Sequence, residues 1–173
     1  ANEPARPRQP KSLILAPTRE LALQIHTELE KFAKNTSLRS TVIFGGVGQN
    51  PQVRQLQKGV DVLVATPGRL LDLAGQGYVD LSMICVLVLD EADRLLDMGF
   101  IHDVKRIVQQ TPKSRQSLLF SATMSKEVSQ LARNMLRDPI RVDVSPKQPT
   151  VKKIDQRVIM VEKPDKLEVL QTL

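Results

Sequence analysis

Five short apolar runs each end directly in a polar cluster, and this repetition restricts the fold more than any other feature of the chain. SLILA (12–16) runs into PTRE, STVIF (40–44) into GG, VDVLVA (60–65) into TPGR, ICVLVL (84–89) into DEAD, and QSLLF (116–120) into SAT. Amphipathic stretches separate the runs. Thr18 is placed to cap a helix carrying Leu21, Ile25, Leu29 and Phe32 at helical spacing. Asn50 and Pro51 open a short helix through Val53 and Leu56 that Gly59 closes, and Thr66-Pro67 repeats the cap-then-proline signal. Ser125 caps a helix carrying Val128, Leu131 and Met135, and IRVDV (140–144) reads as a sixth strand. Near-continuous apolar strands alternating with helices predict an α/β fold, a parallel sheet with helices on both faces. Ligands of such sheets lie beyond the carboxyl ends of the strands. All five clusters should therefore collect along one rim.

Composition bounds the partners. The chain has 173 residues, enough for one domain and a piece of another. Aromatic residues make up 3% of it, so Leu, Val, Ile and Ala must build the core. A single cysteine, Cys85, excludes an internal disulfide and suits a reducing compartment, the cytoplasm or, in a eukaryote, the nucleus. Within an apolar strand it reads as a core thiol. Met98, Met124 and Met135 read as packing residues, and His26 falls on the polar side of the first helix. No apolar run approaches the ~20 residues of a membrane span. The net charge of +6 agrees with a polyanionic partner but does not distinguish one from a merely basic surface.

The clusters carry recognisable chemistry. Asp90, Glu91 and Asp93 follow a buried strand, where a carboxylate facing a nucleotide can hold Mg²⁺ and a neighbouring one can orient and deprotonate a water. A helix N-terminus decorated with acids gives the same pattern through the helix dipole alone. PTRE and TPGR start helices, so backbone N–H groups with Arg19, and with Thr66 and Arg69, can receive phosphates. Gly45 and Gly46 allow a sugar-phosphate backbone to approach without Cβ clashes. Together these sites would follow a backbone by its phosphates, independent of sequence.

APTRELA, GG, VATPGRL, VLDEAD and FSAT, in this order, with DMGF and Gln24, resemble the DEAD-box ATP-dependent RNA helicases over residues 11–161. The resemblance implies a RecA-like lobe from an enzyme that couples Mg-ATP hydrolysis to RNA binding and local duplex unwinding. It implies that Asp90 holds magnesium, through water, and that Glu91 activates the hydrolytic water. Asp93, Ser121 and Thr123 would couple the nucleotide to the RNA. Pro17, Thr18, Arg19, Gly45, Gly46, Thr66, Gly68 and Arg69 would line the RNA path.

The family also carries a phosphate loop, GxxxxGK[ST], and this sequence contains none. The expected organisation is a lead-in (1–11), a partial first lobe without the phosphate-loop strand (12–144), a linker (145–153) and the start of a second lobe (154–173). IDQRVIMVE (154–162) reads there as a strand and KPDKLEVLQTL (163–173) as a helix. If the missing strand lies beside the one ending in Asp90, the sheet should show two open edges and an apolar groove, inviting self-association. On this reading the chain alone should be inactive. A non-enzymatic RNA-binding or interaction module derived from such a helicase is the rival expectation.

Overall fold

The computed structural model describes residues 9–144 and 157–172. In chain order the elements are β1 (Ser12–Leu15), α1 (Arg19–Ala33), β2 (Ser40–Ile43), α2 (Asn50–Gln57), β3 (Val62–Ala65), α3 (Pro67–Gly75), β4 (Val86–Leu89), α4 (Ala92–Asp97), α5 (Ile101–Gln110), β5 (Gln116–Leu119) and α6 (Lys126–Met135). The strands form one sheet in the order β2-β3-β1-β4-β5, and every pairing is parallel.

Alternation along each strand sorts the side chains onto two faces. Leu13, Leu15, Ile43, Leu63, Ala65, Leu87 and Leu89 point to one face and pack with residues of α2, α3, α4, α5 and α6, among them Leu70, Leu73, Leu95, Val104, Ile107 and Leu131. Burying each such leucine contributes about 1.5–3 kcal/mol, so this face holds most of the stabilisation. The opposite face carries Ile14, Val42 and Val64, which α1 covers through Leu21, Ala22, Ile25 and Leu29. The α/β architecture, a parallel sheet with helices on both faces, is the one the alternating runs predict.

The sheet has no gap. The strand ending in Asp90 is flanked on both sides, by β1 and by β5, so the expected pair of open edges beside it does not exist. Among the described residues β5 is the edge on that side, and its residues are only partly buried. Residues 140–144 form no strand, and Ile140, Val142 and Val144 are largely exposed. They fall in a second unit, Ile140–Leu173. In that unit the strand expected at 154–162 begins outside the described residues, and 157–162 is irregular. The helix expected after it is present as a short 3₁₀ turn, Lys163–Asp165, and α7, Lys166–Thr172.

Four side-chain expectations change. Phe32 is 80% exposed, since the row Leu21, Ile25, Leu29 continues in steps of four to Ala33 and not to Phe32. Cys85 is exposed; it precedes β4, and its backbone joins the sheet through Lys11 and Gln116 while its sulfur lies outside the core. Met135 is buried, but Met98 and Met124 are about half exposed. His26 is mostly covered, with Nε2 3.3 Å from the Ser40 hydroxyl, and so ties α1 to β2.

Candidate functional site

The register brings the five clusters together. Leu15 lies opposite both Ala65 and Leu89, Ile43 opposite Ala65, and Leu89 opposite Leu119, so all five strands end level. The ladder continues one residue further: Ala16 N–H donates to Ala65 O, Thr66 N–H to Ile43 O, Asp90 N–H to Leu15 O and Phe120 N–H to Leu89 O. Each polar cluster thus leaves the sheet from a hydrogen-bonded anchor on the same rim.

The acidic cluster occupies the β4–β5 side. Asp90 Oδ1 accepts the Glu91 backbone N–H at 2.9 Å, and no described residue donates to its second oxygen. Glu91 has φ 46° and ψ 56°, the left-handed region that non-glycine residues enter at a cost of about 1–3 kcal/mol. The sharp turn lifts its carboxylate to the surface, where Oε2 meets Arg94 Nη1 at 3.2 Å. Asp93 Oδ2 accepts both the Thr123 hydroxyl, at 2.8 Å, and the Thr123 N–H, at 2.9 Å. In return Asp93 N–H donates to the Ser121 hydroxyl at 3.1 Å. Burial pushes the Asp93 carboxyl up, but the Thr123 hydroxyl and N–H, then Ser121 and the Arg94 N–H, outweigh it, and its pKa lies below the ordinary 3.8.

Among the described residues no group of three His, Cys, Asp or Glu converges as a ligand set for a metal ion. A single strand-end carboxylate with one uncommitted oxygen still fits Mg²⁺, which keeps several waters and takes its other ligands from phosphate oxygens. It does not fit zinc, which needs three or four protein ligands.

The other expected residues line the β1–β3–β2 side. Pro17 is buried at the end of β1, and the Thr18 hydroxyl caps α1 by accepting Leu21 N–H at 3.3 Å. Arg19 is exposed and stacks over the Phe44 ring, 4.8 Å from its centroid. Thr66 caps α3 without a side-chain hydrogen bond, which leaves its hydroxyl uncommitted. An open cleft of about 350 Å³ runs between Gly45, Thr66, Gly68, Arg69, Asp72 and Phe100. Gly46 needs glycine for its φ of +77°. At Gly45 and Gly68 neither conformation nor packing does, because φ is ordinary and a Cβ would meet nothing within 4 Å.

One residue departs from the sequence reading. The Arg69 side chain is only 11% exposed; Nη2 donates to Val47 O at 2.9 Å and Nε lies 3.7 Å from Asp72. It turns toward the neighbouring loop and away from solvent. Three residues at this rim went unnoticed in the sequence: Phe44, Phe100 and Gln52. Gln52 is 8% exposed, accepts Phe44 N–H at 3.0 Å and donates to Phe44 O at 3.1 Å. Its signal was a polar residue on the buried face of α2, beside Val53 and one turn before Leu56.

Residues 2–131 match the family model for DEAD/DEAH box helicases. The chain is 52% identical over 135 residues to the ATP-dependent RNA helicase DBP2 of Eremothecium gossypii, covering 78% of this chain and 24% of that protein. It is 44% identical over 167 residues to the ATP-dependent RNA helicase RhlB of Serratia proteamaculans, covering 95% of this chain and 39% of that protein. The crystal structure of a DEAD box protein from Methanococcus jannaschii superposes with a TM-score of 0.72 at 40% identity, over 76% of this chain and 36% of that one. The chain thus spans between a quarter and two-fifths of the length of these relatives.

Proposed function

This chain belongs to the DEAD/DEAH box helicase family, and from that premise we propose that its rim joins an RNA-backbone track to a magnesium-nucleotide centre within an ATP-dependent RNA helicase. Asp90 would hold magnesium through its uncommitted oxygen. When bound, the ion neutralises phosphate charge. Glu91, raised by its left-handed turn, orients the attacking water and takes its proton. The hydrogen bonds between Asp93, Ser121 and Thr123 connect this turn to the segment after β5, so a shift at one is felt at the other.

RNA runs over the β1–β3–β2 side. The N-termini of α1 and α3 offer backbone N–H groups to phosphates, with Arg19 and the Thr66 hydroxyl beside them. The observation that carries this reading is the free space at Gly45 and Gly68. Glycine there serves neither backbone nor packing, and it leaves room for a sugar-phosphate chain to touch the main chain. Such contacts position RNA without reading bases. We also propose residues 12–144 as the first-lobe part, with 154–173 opening the next.

The test is separation of a short RNA duplex by a two-lobed helicase that contains this sequence. Separation should require ATP, and Glu91→Gln should stop hydrolysis while leaving nucleotide affinity nearly intact. Unchanged hydrolysis in that variant would remove Glu91 from the base role.

A further inference from the structure

The loop between β2 and α2 carries the glycine pair and has no regular structure, yet side chains hold it at three points. At its start, Gln52 satisfies both the N–H and the carbonyl of Phe44, the residue before Gly45. At its middle, Arg69 Nη2 reaches the Val47 carbonyl. At its end, Gln49 and Gln76 exchange two amide hydrogen bonds, at 2.9 and 3.1 Å. The last two points are themselves linked, since Asp72 meets Arg69 Nε at 3.7 Å and accepts from Gln76 Nε2 at 2.8 Å. One face of α3 and its C-cap, through residues 69, 72 and 76, therefore grips the loop while Gln52 pins its root.

We propose that Gln52, Arg69 and Gln76 form a clamp that presents the Gly45–Gly46 backbone to RNA in a single conformation, and that Arg69 is a positioning residue and not a phosphate ligand. This deepens the RNA-track reading above and rests on it. Three observations separate the two roles for Arg69. Its guanidinium points to a carbonyl and a carboxylate of its own chain. Its Nη1 is shielded from solvent without a partner, so no phosphate reaches it as the side chain stands. By contrast Arg19, on the same rim, is exposed and stacked over the ring of the clamped Phe44, so the clamp also sets where that charge sits.

The need for a clamp follows from the glycines. A Gly-Gly segment without support samples many backbone states, and RNA binding would have to order it each time. Losing the clamp should weaken binding about tenfold, the cost of re-ordering one or two loop residues. It should not change the number of phosphates neutralised. On single-stranded RNA each lost phosphate contact lowers the slope of log affinity against log salt by about 0.7, so the two roles give different slopes.

The experiment measures RNA affinity across a salt series for the wild type, Arg19→Ala, Arg69→Ala and the exposed-site variant Gln76→Ala. Backbone amide order parameters of Gly45, Gly46 and Gly48 are recorded alongside. The clamp predicts that Arg69→Ala weakens binding about tenfold with an unchanged slope, while the glycine order parameters fall from about 0.85 toward 0.6. Gln76→Ala should move in the same direction by less, and Arg19→Ala should flatten the slope by about 0.7. Arg69→Ala that flattens the slope with the loop still ordered overturns the clamp and makes Arg69 a phosphate ligand. If Arg69→Ala fails to fold, Gln76→Ala decides: unchanged loop order and affinity overturn the clamp. A wild type that binds no RNA, with its loop ordered, contradicts the RNA-track reading instead.

Discussion

The Asp93 carboxylate and Thr123, thirty positions apart, are joined by two hydrogen bonds to one oxygen, from the hydroxyl at 2.8 Å and from the N–H at 2.9 Å. The Ser121 hydroxyl closes the arrangement by accepting Asp93 N–H and donating to Thr123 O at 2.7 Å. The segment after β5 has no regular structure until α6, and this link, with the Ala92 N–H donating to Phe120 O at 2.9 Å, holds it against α4.

That link should depend on acid. With its pKa held below 3.8, Asp93 stabilises the fold fully above 3.8, and the contribution is lost as pH falls through the lower folded-state value. Thr123→Val should cost about 1 kcal/mol in urea unfolding at neutral pH by removing one charge-assisted donor. Asp93→Asn should lose the same acid sensitivity, measured as the change in urea midpoint between neutral pH and pH values below 3.8. An unaltered acid profile in Asp93→Asn would place the sensitivity elsewhere.

The left-handed turn at Glu91 predicts a trade of stability against activity. Glu91→Gly relieves the φ of 46° and should stabilise the lobe by about 1 kcal/mol, net of glycine's own entropy. The same change removes the carboxylate, so hydrolysis should stop in a complete helicase. Thermal unfolding together with an ATPase assay checks both halves, and a destabilised glycine variant would mean that the turn is not strained.

The glycine of TPGR predicts the opposite kind of separation. Gly68 lies in the first turn of α3 with an ordinary φ and open space around a Cβ. Gly68→Ala should therefore leave the fold intact and raise its stability by about 0.5–1 kcal/mol. It should also weaken RNA binding, because the methyl group enters the space left for the backbone. Full RNA affinity in a stabilised Gly68→Ala would show that the cleft does not carry RNA.

The sheet itself was legible because its inner strands β1, β3 and β4 are covered on both faces, so they read as near-continuous apolar runs ending where the chemistry begins. Capping was legible in part: the Thr18 and Ser125 hydroxyls accept from Leu21 and Val128, but α2 is capped by Gln49 and not by Asn50, and Thr66 makes no side-chain cap bond. The rest depends on partners distant in the chain. IRVDV alternates like a strand, but alternation does not supply a neighbour to pair with, and Ile140, Val142 and Val144 stay exposed. Arg69 reads as a phosphate ligand in TPGR because the motif does not reveal that Val47, 22 residues earlier, lies within its reach. Gln52 was missed because a glutamine in a polar helix attracts no attention until its amide is seen paired with the Phe44 backbone.

If this rim holds RNA by its phosphates, the affinity of the chain for two unrelated single-stranded RNA sequences over a range of salt concentrations will show it. The prediction is weak binding of both with equal affinity, and a shared log–log slope of about −0.7 for each phosphate contacted. Binding that is insensitive to salt, or confined to one of the two sequences, would contradict it.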